Sequence, residues 1–587
     1  MPYRSVQTTA SGLDFIPEHL REYVTEQDSK LYTYIDHAAW RYIMRVSKAF
    51  FGKTAHPLYL HGLDATGIAT ERIPLVSEMD EALKKMGWRA VPINGFIPPA
   101  VFLEFQALKI LAIACDMRKL ENLGYTPSPD IVHEAAGHAP IVADPGYRTY
   151  LEAYGEVAKH AVISKYDVEL YDAIFKLSEI KEDPHSSAEQ IQAAQNEFEA
   201  VAKREVEPSE VALLTRMAWW TTEYGLIGSL DDPKIYGAGL LSSVSESYNC
   251  LKPGVKKIPF SLEATIGTSY DITRPQPQLF VAQNFQELTQ ALQTFANSMA
   301  FRRGGVYGLE VAKKAQNTVT ITLDTGAQIV GTVLDYEVSP DDGTSAPEEA
   351  SFTLTGAKQI AFHDQAHAEI THSSLPQKLY VGLFDRSVSA ASSQDLQRKL
   401  HTSGLHTKSG HRILGRFKKE AHVDKLGRVF LLEQVKVMDP GGKVVYQESE
   451  KHYPLLLGNR VISVSGGAAD RREFAMRNTI RTKKVDSHKS NLTQENTVLN
   501  DLYREVRQTR EQGGWDATTP SLLDRLTRQL DTVAPEDWLL RLELLELYAK
   551  VAPHSVVAAQ IRNQLKQISE SSSETKDLID RGLELIT

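Results

Sequence analysis

Two histidines and a carboxylate fall within six residues in Pro129-Asp130-Ile131-Val132-His133-Glu134-Ala135-Ala136-Gly137-His138. Imidazole nitrogens beside a carboxylate are suited to metal binding or to proton transfer. A zinc-peptidase helix carries its pair as His-Glu-x-x-His, four residues apart on one face. Here the histidines are five apart. On a regular helix, at about 100° per residue, i and i+4 lie about 40° apart, whereas i and i+5 lie about 140° apart. Both histidines can reach one metal only if the helix is distorted, for example by a π-bulge, or begins near His133. Otherwise the pair reads as one structural and one surface histidine. A third donor must come from elsewhere. Glu223 is a lone carboxylate in the aromatic run Trp219-Trp220-Thr221-Thr222-Glu223-Tyr224-Gly225, where its charge needs a partner. A metal would supply one, and so would an ordinary ion pair or hydrogen bond. The small residues of Tyr236-Gly237-Ala238-Gly239-Leu240-Leu241-Ser242-Ser243 lack the Lys and the preceding strand of a phosphate loop. They suit a backbone that approaches a ligand closely.

The elements that must position these residues follow from periodicity. Leu20, Tyr23 and Val24 open one apolar stripe, and Tyr32, Ile35, Ala39 and Tyr42 continue another, so the first end is expected to be helical. Residues 100–117, with Phe102, Phe105, Leu108 and Leu111, predict one buried helix behind Pro98-Pro99. Residues 186–206 predict a capped, solvent-facing helix. The character changes near residue 315. Thr318–Leu323 alternates, Asp324-Thr325-Gly326 turns, and Gln328–Val338 alternates again, which predicts a hairpin. A polar loop, residues 339–349, follows. Phe352–Leu354, Leu379–Phe384, Val429–Met438 and Val444–Tyr446 predict further strands. A basic tract, residues 471–484, leads to a helical end. Leu499, Leu502 and Val506 mark one helix there. Pro535 starts another, with Trp538, Leu539, Leu542, Leu545 and Tyr548 at helical spacing. Gly513-Gly514 separates the two, and antiparallel helix hairpins are expected.

Composition narrows the function classes. The chain has 587 residues, 42% hydrophobic and 24% charged, enough for a sizeable core in several units. Its formal net charge of -10 argues against partners that are nucleic acids bound by phosphate neutralisation, and against anionic membranes. No apolar run is long enough to span a bilayer, and the polar start does not read as a secretory signal. Two cysteines, Cys115 and Cys250, exclude a disulfide framework. A reducing cytoplasm is the expected compartment.

Taken together, the three patches resemble the pterin-dependent aromatic amino acid hydroxylases. The resemblance covers roughly residues 90–310 and also runs through Tyr125-Thr126-Pro127, Phe280-Val281-Ala282 and Phe285. It implies a mainly α catalytic domain around a single iron, held by His133, His138 and Glu223 as a two-His-one-carboxylate facial triad with open positions. It also implies that Arg118 clamps the carboxylate of the substrate and that Thr126 and Ser242 help to hold the amino acid. Asp130 is implied to orient Arg118 and the first ligand, with Glu246 as a further supporting residue. Trp219, Pro129, Gly239 and Ile272 would wall the aromatic pocket. Phe102 would stack on the pterin, with Ile97 lining it and Glu134 reaching it from beside the iron. A surface ion pair for Arg118 and a core position for Phe102 are the structural alternatives.

The implied reaction is hydroxylation of the ring of a free aromatic amino acid by dioxygen, with Fe(II) and a tetrahydropterin. Trp219 stands where phenylalanine- and tyrosine-specific members carry Trp. Ile272 stands where tyrosine-specific members tend to carry Asp, and it offers a phenol hydroxyl no partner. L-Phenylalanine, converted to L-tyrosine, fits both positions, and tryptophan is the alternative within the family. Ala218 and Ala135-Ala136 depart from the bulkier residues usual there, leaving room that something must fill. From another class, a zinc hydrolase would use Glu134 as its base, and a non-catalytic scaffold would work through the C-terminal half. The expected division is a catalytic domain over residues 1–312, a β-rich domain over 313–470, a basic linker over 471–490 and a helical segment over 491–587. A homo-oligomer formed through the C-terminal helices is also expected.

Overall fold

The computed structural model describes residues 13–95, 97–124, 129–182, 186–272, 274–339, 348–367, 370, 374–422, 428–477, 494–570 and 573–586. The first three hundred residues are helical with two small sheets. Helix Tyr34–Thr54 starts at a capping box, in which Thr33 and Asp36 satisfy each other's backbone N–H groups. The stripe at Leu20 forms only a short 3-10 turn, Glu18–Tyr23, because Val24 leaves it for an extended bridge to Ile93.

The expected helix over residues 100–117 is two elements. Helix Pro99–Ala107 ends before Lys109, which takes a left-handed φ of 60°. The chain then enters strand Ile110–Ala114, which pairs in parallel with Arg89–Ile93. The apolar run Ile110-Leu111-Ala112-Ile113-Ala114 is short and buried, and such runs suit a covered parallel strand as well as a helix. Ser187 opens helix Ala188–Ala202 through a second capping box, and only Ala194 of that helix is buried.

The hairpin near residue 318 pairs Thr318–Leu323 with Ala327–Val338. It belongs to a six-stranded sheet that also takes in Glu349–Phe362, Gln365–Ala366, Lys378–Gly382 and Val461–Gly466. A five-stranded sheet contains Leu405–His406, Arg412–His422, Arg428–Met438, Val444–Glu448 and Tyr453–Leu456. Most of the polar loop expected at 339–349 lies outside the described residues. The basic tract is not a linker at its start. Residues Arg471–Arg477 are helical, Arg471 pairs with Glu104 at 3.2 Å, and Arg472 pairs with Glu18 at 2.7 Å.

Five helices follow among the described residues: Gln494–Gln512, Thr519–Val533, Trp538–Val551, Val556–Ser569 and Ser573–Glu584. The third begins at Trp538, capped by Asp537, and not at Pro535. Its residues from Trp538 to Tyr548 are all buried, so it is enclosed on every side. These helices do not form a core of their own. Leu502, Tyr503, Val506, Trp538, Leu545 and Ile579 belong to the same hydrophobic cluster as Trp40, Val132, Trp220 and Leu240. The β-rich residues have a separate cluster, joined by Val162, Ala300 and Leu309.

Candidate metal centre

Both segments that carry the candidate ligands are π-helices, Val132–His138 and Trp219–Glu223. Their backbone bonds run over five residues, from Ala139 N–H to Glu134 O and from Tyr224 N–H to Trp219 O at 2.9 Å. Residues five apart therefore stack on one face. This puts His133 and His138 side by side, with Nε2 atoms 3.2 Å apart and rings crossed at 82°. Neighbouring elements hold the wider winding in place. Ile131 N–H donates to Asp116 O at 2.8 Å, just past strand Ile110–Ala114. On helix Tyr59–Ala65, the Tyr59 hydroxyl donates to Ala136 O at 2.9 Å. Gly137 lies so close to Ala238 that a Cβ would stand 2.7 Å from its carbonyl oxygen.

Glu223 comes from the other side. Helix Glu210–Ala218 runs into the second π-helix, where the Thr221 and Thr222 hydroxyls bond back to Met217 O at 2.6 Å and Ala218 O at 2.9 Å. Such back-bonding favours a bent helix. Strand Leu226–Gly228 follows at once and is held in a sheet by Pro233–Ile235 and Gln278–Ala282. Gly237 admits the Glu223 backbone: a Cβ there would meet Glu223 O at 2.4 Å. The glycines of the small-residue patch thus serve the approach of one protein backbone to another. Gly239 likewise faces the Tyr224 ring and Glu223 O.

The three donors converge. Glu223 Oε2 is 3.3 Å from His133 Nε2, and Oε1 is 3.1 Å from His138 Nε2. Ligand atoms held at about 2.1 Å from an ion in perpendicular directions lie about 3.0 Å apart, and an opposed pair lies about 4.2 Å apart. The two imidazoles meet different oxygens of Glu223, and one ligand atom from each of the three residues lies within 4.8 Å of the others, close enough to share one cation. The set fits a cation with nitrogen and oxygen preference, and among the described residues it is the one such cluster of His, Cys, Asp or Glu. Burial pushes His133 down to about 4. Burial opposes a charge on His138, but the Glu223 carboxylate outweighs it and holds this imidazole up at about 9. Burial likewise opposes the Glu223 charge, and the two imidazoles outweigh it, holding the carboxyl down at about 2. Burial pushes the neighbouring Glu134 up to about 8.

The family model for biopterin-dependent aromatic amino acid hydroxylases matches residues 23–165 and 200–310, a span that contains all three donors. This part of the chain is similar to that family. The phenylalanine-4-hydroxylase of Ralstonia nicotianae is 29% identical over 286 residues, 48% of this chain and 76% of that protein. The phenylalanine-4-hydroxylase of Caulobacter vibrioides is 26% identical over 308 residues, 52% of this chain and 90% of that protein. A crystal structure of Chromobacterium violaceum phenylalanine hydroxylase with bound iron(III) and 7,8-dihydrobiopterin is 26% identical. It covers 47% of this chain and 86% of that one, with a TM-score of 0.37.

Around the donors lies a connected polar shell. The Ser242 hydroxyl donates to Ala238 O at 2.7 Å and lies 3.1 Å from His133 Nδ1. With its own proton committed, Ser242 accepts from Nδ1–H, which leaves the Nε2 lone pair aimed at the focus. Ser242→Ala is expected to weaken metal binding by about 10- to 100-fold, read by titration of the apo protein with Fe(II), without loss of fold. Arg118 is a buried ion pair and not a surface one. Its Nε and Nη2 donate to Asp130 at 2.7 and 2.8 Å, and Nη1 donates to Ser242 O at 2.8 Å. Asp130 also accepts from His133 N–H at 3.0 Å, so one carboxylate orients both the arginine and the first histidine.

Trp219 is half-buried between Tyr270, stacked at 4.3 Å, and Tyr224, tilted at 4.6 Å. Glu246 is buried and accepts from Gln276 N–H at 2.9 Å. The Gln276 side chain accepts from Trp219 Nε1 at 3.3 Å and donates to Asp271 O and Arg274 O. Tyr270 and Gln276 were not legible as site residues, because neither forms a spaced motif. Pro129 is exposed, as is Ile272 on the loop that Gln276 ties. Phe102 is 37% exposed and so is not a core residue, while Ile97 is half-buried. Thr126 lies outside the described residues.

Proposed function

We propose that the chain is a phenylalanine 4-monooxygenase, converting L-phenylalanine to L-tyrosine with Fe(II), a tetrahydropterin and dioxygen. The observation that carries this reading is the convergence of His133, His138 and Glu223, whose ligand atoms lie within 4.8 Å of one another. The relatives named phenylalanine-4-hydroxylase support the substrate. When bound, iron and pterin supply the reductive activation of dioxygen. The residues of the chain do positional work. His133, His138 and Glu223 hold the metal and leave one face for exogenous ligands. Each terminal nitrogen of Arg118 keeps an N–H beyond its described bonds, and these take the carboxylate of the amino acid together with Thr126. Trp219, Pro129, Gly239 and Ile272 wall the ring. An apolar Ile272 gives tyrosine no compensation for burying its hydroxyl. Phe102 presents an accessible face for the pterin, with Ile97 and Glu134 beside it.

The proposed division keeps a catalytic unit to about residue 312, a β-rich unit to about 470, a connection to about 490 and a helical end that packs on the first unit. An oligomer through the C-terminal helices would use their outer faces, since their apolar stripes are buried within the chain. No described helix is long and apolar enough to cross a membrane. A reducing cytoplasm is the proposed compartment, in keeping with two free, buried cysteines.

A competition assay tests the substrate. With equal phenylalanine, tyrosine and tryptophan and excess tetrahydropterin, tyrosine formed from labelled phenylalanine should dominate. A dominant hydroxytryptophan product would overturn that assignment.

A further inference from the structure

Glu104 lies two residues beyond Phe102 on helix Pro99–Ala107. At about 100° per residue the two side chains point to nearly opposite faces. Phe102 faces solvent, whereas Glu104 is held from behind. Its Oε1 meets His19 Nε2 at 2.8 Å, and its Oε2 accepts from Arg471 Nη1 at 3.2 Å. The side chains of His19, Glu104 and Arg471 are 11%, 17% and 29% exposed, so this cluster is shielded more than a surface pair. Burial alone would raise the Glu104 carboxyl, yet His19 and Arg471 hold it below its ordinary value.

Arg471 is itself anchored at both ends. Its Nη2 donates to Lys159 O at the end of helix Pro145–Ala158. The preceding Asp470 exchanges two bonds with the Gln359 side chain, at 2.8 and 3.1 Å, and accepts from Ala366 N–H at 2.9 Å. Gln359 and Ala366 belong to the six-stranded sheet. A continuous set of hydrogen bonds therefore runs from the β-rich unit to the helix that carries Phe102.

We propose that Arg471 is a positioning residue for the cofactor: the Asp470–Arg471 corner locks helix Pro99–Ala107 through Glu104, so the β-rich unit sets the affinity for the pterin. This rests on the reading of Phe102 as the pterin platform. The lock acts on helix position, and neither the donors of the metal nor Arg118 touches it. The test uses full-length Arg471→Ala, Arg471→Lys, Glu104→Gln, the Arg471→Ala/Glu104→Gln double variant and Phe102→Ala. Arg471→Ala and Glu104→Gln should each raise the KM for tetrahydropterin about fivefold, as expected for a partly shielded charged hydrogen bond. The KM for phenylalanine and kcat should stay within about twofold. The double variant should be no worse than either single one, and lysine should restore part of the loss. Amide hydrogen exchange over residues 99–107, measured without pterin, should quicken in Arg471→Ala.

An unchanged pterin KM in Arg471→Ala, with Phe102→Ala raising it, overturns the lock alone. An equal rise in both KM values, or a fall in kcat only, overturns it as well. A Phe102→Ala variant with unaltered pterin KM instead overturns the reading of the helix.

Discussion

Glu223→Gln should lose iron and pterin-dependent tyrosine formation together, with kcat down by about 10³-fold or more, while the chain stays folded. The amide keeps the volume of the carboxylate, and the close approach to Gly237 is made by the Glu223 backbone, which the change leaves alone. What goes is the negative charge that faces both imidazoles at 3.1 and 3.3 Å. A neutral oxygen is a weak donor to a hard cation, and two nitrogens alone do not define a face. The rest of the fold does not depend on this charge, so the melting temperature should stay within about 4 °C of the parent. Iron content and thermal unfolding of the purified variant check both halves. Retained stoichiometric iron would remove Glu223 from the ligand set.

Ending the chain at residue 477 should cost the fold of the catalytic unit, although every proposed catalytic residue lies before residue 280. The C-terminal helices are built into its core. The Tyr42 ring meets Trp538 edge-on at 5.2 Å, and its hydroxyl donates to Leu578 O at 2.6 Å. Arg41 bonds Glu543 and Glu546 at 2.7–2.9 Å, and Asn500 accepts from Tyr34 N–H at the start of helix Tyr34–Thr54. Arg581 lies over the Tyr248 ring at 3.9 Å and donates to Val244 O. Each large apolar side chain buried contributes about 1.5–3 kcal/mol, against a total stability of about 5–15 kcal/mol. Leu502, Tyr503, Val506, Trp538, Leu539 and Leu542 together contribute about 9–18 kcal/mol, a sum as large as that whole margin. The shortened chain should aggregate or melt at least about 10 °C lower, as calorimetry and light scattering would record. An unchanged transition with unchanged kinetics would make the helices an independent appendage.

The catalytic motifs were legible because each is a run of chemically unusual residues, and His133, His138 and Glu223 converge as their types suggested. The five-residue spacing was the informative conflict: it required a distorted helix, and both ligand-bearing segments are π-helical. The hairpin at Thr318 was legible from strict alternation. Strand Ile110–Ala114 was not, since a short apolar run beside a helix carries no period of its own. The docking of the C-terminal helices was also hidden. A stripe at helical spacing says that a face is buried, not against what, and the partners of Arg41 lie some five hundred residues away. Arg471 and Arg472 looked like part of a solvated basic tract for the same reason, because Glu104 and Glu18 are remote in sequence.

The most direct test of the central claim is metal content and product measured on one preparation of the full chain. The arrangement of His133, His138 and Glu223 predicts one iron per chain, tyrosine formed from phenylalanine only when tetrahydropterin and dioxygen are both present, and loss of both with His138→Ala. Stoichiometric zinc with no pterin-dependent turnover would contradict it.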